Sequence, residues 1–164
     1  MSERSRGEAL KRKRRSTLLP RRLVSLLIAG FLAVSACSTS YDFRGDDRPA
    51  YRQTISAEEV ETLRRNGATV LDVRLQEDFD ADPVLIPQAR YKDPENIVEW
   101  VGEMTPADGP VLVYCVRGKW VSQKAANYLN DRGFEVYSLD GGIEAWKQDG
   151  RPTTPATGAN ELNR

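Results

Sequence analysis

The chain has 164 residues, with 24 Lys and Arg, 24 Asp and Glu, two Cys and no His, and 40% of its residues are apolar. This length and composition are typical of one globular domain with an additional segment. The absence of histidine excludes catalytic triads and metal sites that need an imidazole, and two cysteines cannot form a zinc site alone. We therefore expect no metal and no cofactor. The net charge of zero argues against a nucleic-acid partner.

The first 36 residues have the three-part pattern of an export signal. They contain nine Lys or Arg and two acidic residues, and an apolar run occupies residues 23–33. That run is shorter than the ~20 residues that span a bilayer, and small residues follow it. We therefore predict a signal peptide at residues 1–36. The remaining chain has 15 basic and 22 acidic residues, so the mature protein is acidic, which argues further against nucleic acid.

The segment Val34-Ser35-Ala36-Cys37 resembles the bacterial lipobox, in which a small residue precedes a cysteine that receives a lipid. The resemblance implies that the protein belongs to the cell envelope, is held on a membrane through a lipid on Cys37, and faces the periplasm. Ser38 favours the outer membrane. Cleavage by ordinary signal peptidase after Ala36 is the alternative, since its small-residue rule is also satisfied. Lipidation of Cys37 would leave Cys115 as the single thiol of the mature protein.

The mature chain begins with a segment that lacks apolar periodicity. Residues 37–54 are rich in Ser, Thr, Gly, Asp and Arg, and we predict that they form a tether. Ser56 and Glu59 form a capping box, which predicts the start of a short helix. Residues 68–73 are apolar and β-branched, which predicts a buried strand. The acidic stretch at residues 77–87 is predicted to be a turn region.

The second half of the domain alternates between helical and strand patterns. Pro94 introduces a helix whose inner face is expected to contain Ile97, Val98, Val101 and Met104. The elements predicted after it are a strand at 111–114, a helix at 122–131, a strand at 135–139 and a helix at 143–148. This alternation predicts an α/β domain with a mainly parallel sheet at residues 55–150. Residues 151–164 are expected to be a disordered tail.

Cys115 lies between a buried strand and a helix, which is the functional position in an open α/β sheet. The loop after it, residues 115–121, contains a glycine and the cations Arg117 and Lys119. Backbone N–H groups of such a loop, together with a helix N-terminus, bind anions and favour a thiolate. Cys115 is therefore a candidate nucleophile that needs no histidine. The alternatives are a small buried apolar residue at Cys115 and ordinary solvated charges at the two cations.

An ordered series of motifs in this chain resembles a single rhodanese domain. The series covers about 95 residues and consists of Leu71-Asp72-Val73-Arg74, Ile86-Pro87-Gln88-Ala89, Val113-Tyr114-Cys115, Ala125-Ala126, Gly133-Phe134 and Leu139-Asp140-Gly141-Gly142. The resemblance implies a three-layer rhodanese-like domain with a central, mainly parallel five-stranded sheet. It also implies a sulfurtransferase, in which Cys115 accepts a sulfane sulfur from a donor such as thiosulfate and carries it as a persulfide.

The resemblance also implies roles for the residues around Cys115. Arg117, Gly118, Lys119 and Trp120 would bind the small anionic sulfur donor, and a thiol or a cyanide-like molecule would accept the sulfur. Asp72 and Arg74 match an Asp-x-Arg element of the family that helps to order the active-site loop, and we expect them to be structural rather than catalytic.

The active-site loop departs from the family pattern Cys-x-x-Gly-x-Arg-Ser. Trp120 and Val121 occupy the Arg and Ser positions, and the paired alanines begin ten residues after Cys115, so the loop is one residue longer. A phosphatase of this family would need an Arg at Val121, so we exclude that activity. The altered loop keeps open a second function, a non-catalytic binding or regulatory module. A redox pair of Cys37 and Cys115 is open only if Cys37 carries no lipid.

Overall fold

The computed structural model describes residues 41–156, which contain a central sheet of five parallel strands. The strands of the chain are β1 (Thr54–Ile55), β2 (Thr69–Asp72), β3 (Val84–Leu85), β4 (Arg90–Tyr91), β5 (Val111–Tyr114), β6 (Val136–Leu139) and β7 (Thr154–Pro155). The central sheet has the order β1-β6-β5-β2-β4, and β3 pairs with β7 in a separate antiparallel ribbon. The predicted α/β class and five-stranded parallel sheet are confirmed.

Five α-helices cover the two faces of the sheet. They are α1 (Ala57–Arg65), α2 (Gln76–Ala81), α3 (Ile97–Gly102), α4 (Trp120–Asn130) and α5 (Gly142–Gln148). The capping box predicted for α1 is present, because Glu59 accepts from the Ser56 backbone N–H at 2.8 Å. Helices α3 and α4 pack on one face of the sheet and α1, α2 and α5 on the other. Every residue of β5 is buried, as expected for a central strand covered on both faces.

The acidic stretch at residues 77–87 contains regular structure, so its prediction as a turn region was wrong. Helix α2 begins at Gln76, and strand β3 follows it. The apolar residue that fixes this segment is Phe79, which is buried and stacks on Tyr91 with 4.1 Å between ring centroids. This contact with a residue of β4 helps to order a stretch that has almost no apolar period of its own.

The inner face predicted for α3 was wrong at one position. Ile97 and Val101 are buried, but Val98 is 42% exposed and Trp100 faces the core instead. The indole N–H of Trp100 donates to the Asp93 carbonyl at 2.8 Å. Because α3 follows a short 3-10 turn at Pro94–Asn96, its rotation differs from that of one continuous helix begun at Pro94.

Residues 41–53, which we call the N-terminal strap, pack along α4 instead of forming the predicted tether. Phe43 is only 3% exposed and belongs to the same apolar core as Cys115. Lys124 donates to the carbonyl of Arg44 at 2.8 Å, and Asn127 donates to that of Pro49 at 2.9 Å. The strap contains apolar residues without any helical or strand period, so its pattern gave no indication of burial.

The chain after α5 also packs on the domain, in contrast to the disordered tail expected from residue 151. Strand β7 pairs with β3, and the indole N–H of Trp146 donates to the carbonyl of Pro152 at 2.8 Å. The backbone N–H of Ala156 donates to the Pro83 carbonyl at 2.9 Å. The remaining part of the predicted tail, the signal peptide and the proposed lipidation site Cys37 lie outside the described residues.

Candidate active site

Cys115 is the first residue after β5 and lies at the bottom of a cleft of about 220 Å³. Its residue surface is 4% exposed, and it forms part of the lining of this cleft. The other residues that line the cleft are Asp78, Val116, Arg117, Lys119, Trp120 and Val121. The structure therefore brings together Cys115 and three of the four loop residues predicted to bind a donor. Asp78 was not among the predicted site residues, because it comes from α2 in the misjudged acidic stretch.

Two buried hydroxyl groups lie behind the thiol. Cys115 Sγ is 3.4 Å from Ser122 Oγ, and the hydroxyl of Ser138 donates to Ser122 Oγ at 3.1 Å. The hydroxyl of Ser122 itself donates to the Lys119 carbonyl at 3.3 Å. Sequence reasoning missed both serines. Ser122 could have been found from its place in the first turn of α4, whereas Ser138 comes from β6 and gives no local signal.

The backbone N–H groups of the active-site loop have no hydrogen-bond acceptor among the described residues. Within residues 41–156, no carbonyl or side chain accepts a hydrogen bond from the N–H groups of residues 116–119. Helix α4 begins directly after them, so the unpaired N–H groups of its first turn and its positive dipole end lie at the same place. A run of free N–H groups beside a helix N-terminus can bind an anion or a thiolate without any metal.

The loop is held from the opposite side by the start of α5. The N–H groups of Ile143 and Glu144 donate to the carbonyls of Cys115 and Val116, each at 3.0 Å. This approach requires glycine at Gly142, because a Cβ there would lie 2.3 Å from the Cys115 carbonyl oxygen. Gly118 has a positive φ of 63° and is buried in the same contact. Gly118 does not itself line the cleft, so its role in donor binding stays a prediction.

The two predicted cations differ in their availability. Arg117 is 70% exposed and its Nε donates to Glu144 Oε2 at 3.1 Å. An ion pair this exposed is weak, so Arg117 can exchange its partner for a ligand at low cost. Lys119 is exposed, lines the cleft and forms no ion pair within residues 41–156. Asp78 adds an acidic side chain to the same cleft, so the cleft is lined by both acidic and basic residues.

Trp120 forms an exposed aromatic wall of the cleft. Its residue surface is 45% exposed, although most indoles in a domain of this size are buried. The ring of Phe43 lies behind it with 6.2 Å between centroids, and Lys124 Nζ lies 5.2 Å from the indole centroid. Helix α4 begins at this residue, two positions before the predicted start at Ser122.

Asp72 and Arg74 form a buried ion pair at the end of β2. Arg74 Nε and Nη2 donate to Asp72 Oδ2 at 2.9 and 2.6 Å, and the guanidinium also donates to the carbonyls of Asp82 and Val84. Burial raises the pKa of the Asp72 carboxyl, and the hydrogen bonds from Arg74 oppose this rise. Through these hydrogen bonds, Arg74 holds the connection between α2 and β3 against the end of β2. Within residues 41–156, no hydrogen bond or ion pair joins either side chain to the loop at 116–119, so the loop-ordering role stays a prediction.

Within the part of the chain that the structure describes, no group of three or more Cys, Asp or Glu side chains could hold a metal ion. Among the same residues, no helix has both the length and the apolar character needed to cross a membrane.

The family model for the rhodanese-like domain matches residues 56–149, which is more than half of the chain. The chain belongs to the rhodanese-like family. The N-terminal strap and the residues of β7 lie outside the matched region.

Several curated relatives are named thiosulfate sulfurtransferase GlpE, a rhodanese-type enzyme. The relative from Pseudomonas fluorescens is 42% identical over 103 residues, which cover 62% of this chain and 87% of the relative. That from Pseudomonas aeruginosa PAO1 is 38% identical over 96 residues, which cover 58% of this chain and 84% of the relative. These matches cover most of the length of each relative.

Solved structures have the same fold. A full-length protein from Lactobacillus plantarum matches with a TM-score of 0.56 and 27% identity, covering 63% of this chain and 88% of that chain. A rhodanese-related protein from Thermoplasma volcanium matches with a TM-score of 0.54 and 23% identity, covering 63% of this chain and 98% of that chain. The resemblance to a single rhodanese domain, which was first drawn from the motif series, is confirmed.

Proposed function

We propose that this protein is a sulfurtransferase in which Cys115 carries sulfane sulfur as a persulfide. The observation that carries the proposal is the cluster of unpaired loop N–H groups beside a buried thiol at the bottom of an open cleft. The curated relatives named thiosulfate sulfurtransferase support thiosulfate as the type of donor. The acceptor is a thiol or a cyanide-like nucleophile.

In the first half of the reaction, the thiolate of Cys115 attacks the outer sulfur of thiosulfate. The sulfur–sulfur bond of the donor breaks, and sulfite leaves with its electron pair. Lys119 and an Arg117 released from Glu144 offset the donor charge, and the N–H groups of residues 116–119 bind the anionic persulfide. In the second half, the acceptor attacks the outer persulfide sulfur, and the Cys115 thiolate leaves. The attack itself needs no general base when the thiolate is the reacting form.

The test uses the full chain and the variant Cys115→Ser. After incubation with thiosulfate, the intact mass of the wild type should rise by one sulfur atom, and added cyanide should remove that sulfur as thiocyanate. Cys115→Ser should do neither. If the wild type gains no sulfur and forms no thiocyanate, the enzymatic proposal is wrong.

A second candidate is a binding module that recognises an anion without turnover. It is favoured by the pairing of Arg117 with Glu144 and by the lengthened loop at Trp120. In that case thiosulfate would bind equally to the wild type and to Cys115→Ser in a calorimetric titration, with no mass change in either. Persulfide formation on Cys115 would reject this candidate.

We further propose that the mature protein is anchored in the cell envelope through a lipid on Cys37 and faces the periplasm, with the outer membrane favoured by Ser38. The proposal rests on the pattern of residues 1–37. Metabolic labelling with palmitate should label the wild type but not Cys37→Ser. An unlabelled wild type would mean simple cleavage of the signal peptide, and would reopen a redox pair between Cys37 and Cys115.

A further inference from the structure

One acidic side chain lines the active-site cleft and has no partner within residues 41–156. Helix α2 and the residue after it carry four acidic side chains, and three of them are paired. These pairs are Glu77 with Arg44, Asp80 with Gln76, and Asp82 with Lys147. Within the same residues, no hydrogen bond or ion pair involves the side chain of Asp78. Of the four acids, Asp78 is the one that lines the cleft.

Asp78 and the cation Lys119 reach the cleft from different elements. Helices α2 and α4 pack on opposite faces of the sheet. Asp78 belongs to α2, Lys119 directly precedes α4, and both residues line the cleft beside Cys115. Both side chains are exposed, so each is hydrated until a ligand enters. The cleft thus offers one anionic and one cationic group to a molecule that approaches the sulfur.

The charge of Asp78 is unfavourable for the sulfur donor but suits one class of acceptor. Thiosulfate carries two negative charges, which a carboxylate in the same cleft repels. The acceptor must instead bring its sulfur up to a persulfide that is itself an anion, so a positive charge elsewhere on the acceptor reduces the repulsion. A neighbouring cation also lowers the pKa of a thiol and so increases the fraction of thiolate.

We propose that Asp78 is a specificity-determining residue that favours aminothiol acceptors, in which an ammonium group lies close to the thiol. This inference rests on the proposed sulfurtransferase function. The acceptor thiol loses its proton to solvent, and its ammonium group pairs with the Asp78 carboxylate. The thiolate then attacks the outer sulfur of the Cys115 persulfide, the sulfur–sulfur bond of the persulfide breaks, and the electron pair returns to Cys115. Each side of this step carries two negative charges on sulfur.

The test compares two acceptors of similar size and opposite charge, cysteamine and 3-mercaptopropionate, with thiosulfate as donor and the full chain as enzyme. Sulfite release measures turnover with either thiol. Because the intermediate is covalent, kcat/KM for the acceptor reports the second half-reaction alone. Asp78→Asn should lower the ratio of the cysteamine value to the 3-mercaptopropionate value about three- to tenfold, since it removes an attraction and a repulsion together. The intrinsic reactivity of each thiol cancels between variants.

The donor side should respond to Asp78→Asn in the opposite direction. With cyanide as acceptor, kcat/KM for thiosulfate should rise about two- to fivefold, because a repulsion of the donor is removed. The matched control is Asp80→Asn, which removes the same charge from the same helix at a position that does not line the cleft. It should leave the acceptor ratio and the thiosulfate value at those of the wild type. A role of Asp78 in stability alone would not move the ratio.

The outcomes separate this inference from the function on which it rests. If the wild type releases no sulfite with any acceptor, cyanide included, the sulfurtransferase proposal fails. If the wild type turns over both thiols and Asp78→Asn leaves the acceptor ratio unchanged, the role of Asp78 is overturned while the sulfurtransferase stands. An equal fall of the ratio in Asp78→Asn and Asp80→Asn would show an effect of net charge and would also overturn the role of Asp78.

Discussion

We expect the reactivity of Cys115 to depend on two hydroxyl groups, one on helix α4 and one on strand β6. The Ser122 hydroxyl oxygen lies 3.4 Å from the sulfur of Cys115, and the Ser138 hydroxyl donates a hydrogen bond to the Ser122 oxygen. When the thiol loses its proton, Ser122 can turn its hydroxyl from the Lys119 carbonyl to the sulfur, while Ser138 continues to donate to Ser122. Since hydrogen bonds to charged groups are stronger than neutral ones, this rotation stabilises the thiolate.

Removing these hydroxyls should slow the chemistry of Cys115 in a graded way. Ser122→Ala should lower the rate of alkylation by iodoacetamide at neutral pH, and the rate of persulfide formation, by about tenfold, since a hydrogen bond to a charged group contributes about 1.5–3 kcal/mol. Ser138→Ala should have a smaller effect, because it acts through Ser122. Ser122→Thr keeps the hydroxyl and should retain most of the rate. Equal rates in Ser122→Ala and the wild type would contradict this account.

Gly142 tests whether the close approach of α5 to the loop is necessary. Gly142→Ala would place a Cβ 2.3 Å from the Cys115 carbonyl oxygen and 2.6 Å from Val116 O. It should abolish persulfide formation, because the loop must move.

Gly133→Ala is the control, since Gly133 also has a positive φ but a Cβ there would have no neighbour within 4 Å. It should cost only about 1–2 kcal/mol in unfolding free energy and keep activity. If Gly142→Ala still forms the persulfide at the wild-type rate, the close approach of α5 to the loop is not necessary.

The residues of the site that sequence could predict are those within one loop. Cys115 and its loop were found from the strand before them and the helix after them, because a short segment carries that whole pattern. From distant positions in the chain, Asp78 lines the cleft, Ser138 bonds to Ser122 beside the thiol, and Phe43 lies near the ring of Trp120. Their placement depends on strand order and on the packing of irregular segments, which no local period reports.

At the scale of elements, the strap is held by a small polar cluster as well as by Phe43. The guanidinium of Arg48 donates to the carboxylate of Asp46 at 2.6 Å, and the Tyr41 hydroxyl also donates to that carboxylate. The hydrogen bonds from Arg48 hold the pKa of Asp46 well below its usual range, although partial burial opposes this. Partial burial and the hydrogen bond to Asp46 raise the pKa of Tyr41 to about 12.

The lowered pKa of Asp46 predicts an acid-sensitive strap. A carboxyl with a lower pKa in the folded state stabilises that state above its unfolded pKa of about 4, and this stability is lost as pH falls through the folded pKa. Asp46→Asn should therefore unfold about 1–2 kcal/mol more easily than the wild type near neutral pH.

The measurement is urea unfolding of both chains over a series of pH values. The difference in unfolding free energy should narrow as the pH falls below about 4. Asp47→Asn is the control, because no hydrogen bond or ion pair involves the Asp47 side chain within residues 41–156. A difference between Asp46→Asn and wild type that stays constant with pH would show that Asp46 does not act through its charge.

Elements with a strong period were predicted, and short elements were not. The strand at 111–114 and the helix around Ala125 have buried faces that their own residues define. By contrast, β3, β4 and β7 have two residues each, too few to show alternation. They exist because neighbouring strands supply hydrogen-bond partners, so only the assembled sheet determines them.

At the scale of the whole molecule, the folded unit extends beyond the region that the family pattern covers. At both ends of the family match, residues outside the match pack against the domain. The strap covers α4 through Phe43, and residues 152–156 close the other face through Trp146, β3 and the buried Ala156. Because small domains bury a smaller fraction of their surface, we expect such additions to matter for the stability of a domain of about 100 residues.

Trimming the chain should therefore lower its stability from both ends independently. Residues 41–156 should unfold cooperatively by circular dichroism, and residues 55–150 should melt at least about 10 °C lower, since burying one Phe side chain contributes about 2–3 kcal/mol and each kcal/mol shifts Tm by about 4 °C. The chains of residues 55–156 and 41–150 should each show part of this decrease in melting temperature. The two decreases should add, because the strap and β7 lie on opposite faces of the sheet. If residues 55–150 melt at the same temperature as residues 41–156, then neither end contributes to the fold, and the buried positions of Phe43 and Ala156 have no energetic consequence.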